Sequence, residues 1–137
     1  ESSGLAGRVQ FRGFVPEETK YQLLAAADIF ALPSLHEAFG LVYLEAMHCG
    51  LPVIAARPGG QEDYLEEGRT GFLVPPEDLE SLTRSLAALV GDADLRARIS
   101  QHNRMVANRF TVRATASRYE SLFARLACVP EAVFVPA

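Results

Sequence analysis

The sequence predicts an α/β fold, an open parallel sheet with helices on both faces. Three short apolar runs, at 29–32, 52–56 and 71–74, have the length and composition of buried parallel strands. Longer stretches with helical apolar spacing separate or follow them, and Gly or Pro marks most of the junctions. Strands alternating with helices imply a parallel sheet covered on both sides. Ligands of such sheets bind outside the carboxyl ends of the strands.

The elements follow in order. Val9–Phe14 alternates apolar and polar residues and reads as a strand. Pro16-Glu17-Glu18 opens a helix to about Ala27, with proline and acids in its first turn. Ile29–Leu32 is a strand stopped by Pro33-Ser34. Leu41–Cys49 is a helix, apolar nearly all round and therefore expected to be buried, with Gly50 as its stop. Pro52–Ala56 is the next strand. Gly59-Gly60 begins a loop before a short helix at Glu62–Glu66, and Gly71–Val74 is a further strand. Pro76-Glu77-Asp78 starts a helix to about Val90, with Leu79, Leu82, Leu86 and Leu89 on one face. Asp92–Asn108 and Val112–Leu126 are two more helices. The core of this single domain runs from about 5 to 127, and 128–137 is a tail.

Composition narrows the function classes. A chain of 137 residues is one ordinary domain with room for a core. A net charge of −4 argues against nucleic acid and against an anionic membrane surface. No apolar run is long enough to span a bilayer. Cys49 and Cys128 have no metal or redox spacing, so buried inert thiols in a reducing cytoplasm are expected. Asp92-Ala93-Asp94 sits between helices and reads as an N-cap rather than a metal site, and no metal is expected.

The segment Leu35–Ala46 carries the chemistry. It sets Glu37 and Glu45 eight positions apart, with a Phe39-Gly40 turn between them. A carboxylate in a buried helix needs a partner, and no Lys or Arg lies within a helical turn of Glu45. A ligand rich in hydroxyl groups would supply one. Gly40 lets the backbone approach a ligand, and the amides after it lack intrahelical acceptors. With the helix dipole they suit a phosphate. Glu37 stands just before that site and should point past the phosphate towards neutral hydroxyls. The inferred ligand has a central diphosphate and hydroxyl-bearing groups at both ends, the layout of a nucleotide sugar.

Glu37-Ala38-Phe39-Gly40 followed by Glu45-Ala46-Met47-His48-Cys49-Gly50-Leu51-Pro52-Val53 resembles the signature of the retaining glycosyltransferases of group 1, or family 4. The likeness extends through Val9–Phe14, Ala27–Ser34, Gly59–Glu62 and Gly68–Val74, roughly residues 5 to 125 in family order. It implies a Rossmann-like sheet belonging to the C-terminal, donor-binding domain of the GT-B fold. It further implies that an N-terminal acceptor domain and the first donor-domain unit, with the Arg and Lys that neutralise the diphosphate, are absent from this chain. No cofactor is implied, because the nucleoside diphosphate sugar is itself the donor substrate, and the chemistry is metal-independent. The acceptor, a sugar, lipid or small molecule, would be bound by the missing domain. The setting is cytoplasmic, with attachment of the longer protein to the inner-membrane surface as an option.

The resemblance also implies residue roles. Glu37 contacts the transferred sugar beside the anomeric carbon and is the catalytic candidate. Glu45 binds the ribose hydroxyls. Phe39, Gly40, Leu41 and Val42 act on the diphosphate through their amides. Lys20 and Val15 lie where some members contact the base or ribose. Structural alternatives stay open for each: an internal backbone bond for Glu45, a dipole-favoured acid for Glu37, a tight helix entry for 39–42 and a solvated lysine for Lys20. His36 reads as a loop residue, and His48 as a hydrogen-bond partner of Glu45 at i−3. Gly59, Gly60 and Glu62 read as a loop near the donor or a plain turn and cap, and Arg57 as a partner of Glu62 or Asp63. The whole protein is then a hexosyl-transferring enzyme and the isolated chain inactive. The rivals are a noncatalytic nucleotide-sugar-binding remnant and a dinucleotide-binding domain. The latter lacks Gly-x-Gly-x-x-Gly after a first strand.

Overall fold

The computed structural model describes residue 4 and residues 7–127. Its order is α1 (Glu17–Ala26), β1 (Phe30–Leu32), α2 (Leu41–His48), β2 (Val53–Ala56), β3 (Gly71–Val74), α3 (Leu79–Gly91), α4 (Ala93–Ala107) and α5 (Val112–Ala127). Short 3-10 turns at Gly60–Asp63 and Asn108–Phe110 complete it. The strands form one parallel sheet in the order β1-β2-β3, with Phe30 opposite Val53 and Val53 opposite Gly71.

All four residues of β2 are buried, as a central parallel strand requires. Its alternation divides the core. Val53 and Ala55 join Tyr43, Ala46 and Met47 of α2 and Val106 of α4 on one face. Ile54 joins Leu89 of α3 and Ile99 of α4 on the other. The sheet is therefore covered on both faces, as the sequence predicts. Asn103 of α4 is fully buried and donates through Nδ2 to the carbonyls of Leu51, 2.7 Å, and Thr70, 2.9 Å. It ties together the chain just before β2 and just before β3. Leu24 is the buried anchor of α1.

Four expectations change. Val9–Phe14 forms no strand: neither edge of the sheet pairs with it, and Phe11 and Phe14 are almost fully exposed. Alternation supplies a strand with a face but not with a ladder partner. The turn after Gly59 is a 3-10 turn at Gly60–Asp63 rather than a helix at Glu62–Glu66. Helix α3 begins only after Asp78, whose carboxylate accepts from the Ser81 amide at 2.9 Å. Glu77 before it has φ 60°, which breaks any earlier start and leaves Leu79 exposed. Finally, α2 is not buried all round. Leu41 and His48 are exposed and Glu45 is half-buried, so the stripe 41–45–48 faces outward. The tail and Cys128 lie outside the described residues.

Candidate functional site

The Leu35–Ala46 segment leaves β1 at the carboxyl end of the sheet and enters α2. Tyr43, buried in α2, donates its hydroxyl to the Leu32 carbonyl at 2.6 Å and fixes the helix to the strand end. Gly40 caps α2 in the left-handed region, φ 76°. A Cβ there would stand 2.6 Å from Tyr43 Cε2 and closer still to Cδ2. Glycine is thus required twice, by conformation and by the ring beneath it.

Two further contacts clamp this entry. Tyr64 donates its hydroxyl to the carbonyls of Phe39, 2.5 Å, and Gly40, 2.8 Å. Its ring packs with Phe39 and Phe110, centroids 5.3 and 5.4 Å away. Burial, aided by Tyr43 and Glu37, pushes the Tyr64 phenol far above its ordinary range. From the other side, the Gly60 amide donates to the Glu37 carbonyl at 3.1 Å. Glu62 accepts from the Gly59 amide at 3.0 Å, so the glycine loop is capped as well as close to the motif.

The amides of Gly40, Leu41 and Val42 have no acceptor among the described residues. The Phe39 amide makes a long bond, 3.4 Å, to Glu37 Oε1. Glu37 is half-buried between the motif turn and the glycine loop. Its carboxylate stands beside the first of the amides expected to serve phosphate.

Glu45 has a partner from within the chain. Lys20 Nζ of α1 meets Glu45 Oε1 at 2.7 Å, with the two side chains 33% and 25% exposed. The expectation that a ligand would supply the partner of Glu45 is corrected: a cation comes from another helix, beyond the reach of helical spacing. That bond holds the Lys20 ammonium above its ordinary range. Tyr21 directs its hydroxyl to the same oxygen at 3.4 Å. Val15, half-buried, precedes α1 by two residues, and no cavity or hydrogen bond brings it to Glu45. Lys20 and Glu45 therefore come together, with Glu45 on the helix that the 39–42 entry opens.

The remaining candidates separate. His36 is exposed; His48 is exposed and makes no hydrogen bond to Glu45. Arg57 pairs with neither Glu62 nor Asp63. Asp92 caps α4 through the Leu95 amide at 2.8 Å. No group of three His, Cys, Asp or Glu side chains converges as metal ligands among the described residues. No described helix is long and apolar enough to cross a membrane. Sequence reasoning missed Tyr21 and Tyr64; neither lies in the motif, and a tyrosine hydroxyl leaves no periodic trace.

The profile of the family described as glycosyl transferases group 1 matches residues 1–106. The chain belongs to that family. Among its curated relatives, the D-inositol 3-phosphate glycosyltransferase of Corynebacterium urealyticum is 35% identical over 96% of this chain. The sulfoquinovosyl transferase SQD2 of Arabidopsis thaliana is 39% identical over 79%. This group 1 chain spans 31% and 22% of the lengths of those two proteins. Anabaena HepE, solved in complex with UDP and glucose, superposes with a TM-score of 0.78 at 36% identity. That match covers 88% of this chain and 33% of HepE. Sucrose-phosphate synthase from Thermosynechococcus elongatus gives 0.81 at 33% identity, over 90% of this chain and 31% of the synthase. The three-stranded parallel sheet and its helices thus match part of the GT-B glycosyltransferase fold.

Proposed function

We propose that this chain is the donor-binding part of a retaining glycosyltransferase that uses a nucleoside diphosphate sugar. One observation carries the reading. The unpaired amides at the start of α2 and the Glu45 carboxylate lie on one helix, five residues from Gly40 to Glu45. At helical rise that is about 7 Å, with the two groups serving a diphosphate and a ribose in sequence along one molecule. The complexes of HepE with UDP-glucose and with UDP and glucose support the same ligand class.

In this mechanism the amides of Phe39, Gly40, Leu41 and Val42 and the α2 dipole stabilise the diphosphate as it leaves, when its charge grows. As the group 1 resemblance implies, basic side chains of the longer protein supply the remaining positive charge, and the transfer is metal-independent and needs no cofactor. Glu37 orients the sugar at the reacting carbon, and Glu45 holds the ribose. The leaving phosphate takes the acceptor proton on the same face, which retains the anomeric configuration. The acceptor, a sugar, lipid or small molecule, is bound elsewhere in the longer protein, so this chain alone binds donor without turnover. A cytoplasmic setting fits Cys49, a free half-buried thiol.

The test is thermal unfolding with UDP, GDP, ADP and NAD, on this chain and on Glu45→Ala. One nucleoside diphosphate should raise stability by about 2.7 kcal/mol at a hundredfold excess over its dissociation constant, and the variant should lose that gain. Equal shifts in both proteins, or none with any diphosphate, overturn the reading.

A further inference from the structure

The two oxygens of Glu45 have different neighbours. Oε1 takes the Lys20 ammonium at 2.7 Å and the Tyr21 hydroxyl at 3.4 Å. Oε2 has no donor among the described residues. Both donors are adjacent residues of α1, whereas Glu45 belongs to α2, so a second element fixes the carboxylate. Lys20 is itself held from a second side, with Nζ 4.8 Å from the centroid of the Tyr21 ring. Beside them runs a groove of about 360 Å³, lined by Tyr21, Leu41, Leu44, Glu45, His48 and Phe110 among others. Its floor is apolar, and Glu45 is the only carboxylate lining it.

A glutamate on an exposed helix face has three rotatable bonds, and a ligand that binds it must freeze them. Here α1 has already done so. We propose that Lys20 is a positioning residue: with Tyr21 it occupies Oε1 of Glu45 and leaves Oε2 as the oriented acceptor for a vicinal diol. This deepens the donor reading and rests on it. Lys20 then contributes to selecting a ribonucleotide over its deoxy counterpart without touching the base. The chemistry is hydrogen bonding alone: each hydroxyl of the diol donates to Oε2, and a ligand lacking one leaves that acceptor underused.

The experiment is calorimetric titration of the chain with matched pairs, UDP and 2′-deoxy-UDP, GDP and 2′-deoxy-GDP, ADP and 2′-deoxy-ADP. It is repeated on Lys20→Met, Lys20→Arg and Glu45→Gln. In the tightest pair the wild-type chain should favour the ribonucleotide by about tenfold, the worth of a hydrogen bond to a charged acceptor. Lys20→Met should lose most of that preference, its affinity for the deoxynucleotide, which keeps one of the two hydroxyls, falling less than its affinity for the ribonucleotide, and Lys20→Arg should restore the preference. If Lys20→Met weakens both members equally, or leaves the ratio intact, Lys20 does not act through Glu45 and the proposal fails. If the ratio survives Glu45→Gln, or no nucleotide binds the wild-type chain, the donor reading falls and takes this proposal with it. A ligand-free measurement stands beside these. The melting temperatures of the two single variants and of the double variant Lys20→Met/Glu45→Gln should show coupling that shrinks with added salt. Additive effects overturn the positioning role.

Discussion

Gly60 lies so close to Ala38 that a Cβ on residue 60 would sit 2.7 Å from the Ala38 carbonyl carbon, and nearer still to its oxygen. The two backbones touch directly, and the glycine loop thereby sets the height of the turn carrying Glu37. Gly60→Ala must push rigid backbone aside, not a flexible side-chain end. We expect a loss of about 3 kcal/mol in urea unfolding, at the upper end of overpacking costs. Gly68 is the control: φ is 73° but nothing lies within 4 Å of its Cβ position. Gly68→Ala should cost about 1 kcal/mol, for backbone conformation alone.

Tyr64→Phe keeps the ring packed on Phe39 and Phe110 and removes the donor to the two motif carbonyls. The expected cost is about 1.5 kcal/mol at neutral pH, measured by denaturant titration. The alkaline limb should change too. Burial raises the folded-state pKa of this phenol above the unfolded value of 10.0, so its contribution is intact below pH 10 and lost as pH rises above it. Without the phenol, stability above pH 10 should fall less steeply, by up to about 1.4 kcal/mol per pH unit. An unchanged alkaline slope would count against a buried neutral Tyr64.

Asn103→Leu fills similar space but leaves the carbonyls of Leu51 and Thr70 without their shared donor. Two buried acceptors lose a partner at once, and about 3 kcal/mol of stability should go in urea unfolding. The amides opening β2 and β3 should also exchange faster with solvent deuterium.

Glu67, which bridges Gly71 in parallel, lies along the outer edge of β3, where its Oε2 accepts from the Leu73 amide at 2.6 Å. It blocks one position of the β3 edge with a charge, a device that discourages pairing with another chain. Glu67→Ala should therefore speed hydrogen exchange at Leu73 and raise light scattering on prolonged incubation. Unaltered exchange at that amide would remove the basis for the second effect.

Much of this fold is legible in the sequence because local patterns decide it. The run Gly71–Val74 is a strand within its predicted limits, and Leu41–His48 ends one residue short of expectation. Both are short, apolar and bounded by glycine. Val9–Phe14 shows what the pattern omits, since pairing depends on a neighbour that alternation never names. Glu77 shows a second gap: a positive φ at a non-glycine residue delayed α3 and turned Leu79 outward, although its helical spacing placed it with Leu82 and Leu86. At the site, Gly40 and Glu45 are legible because the motif keeps them on one short helix. Lys20 lies 25 residues from Glu45 and on another helix, so no i±4 rule could reveal the pair. Tyr64 is as distant from Phe39, and only packing shows that its hydroxyl closes the turn.

Because the unpaired amides at the start of α2 and Glu45 belong to one short helix and its cap, the spacing between them is a ruler of covalent origin. No loop, hinge or domain boundary can lengthen it. On the proposed function, a nucleotide held at both points would travel with α2 as cargo of fixed length. On that same reading, adjustment would be left to the sugar and the acceptor.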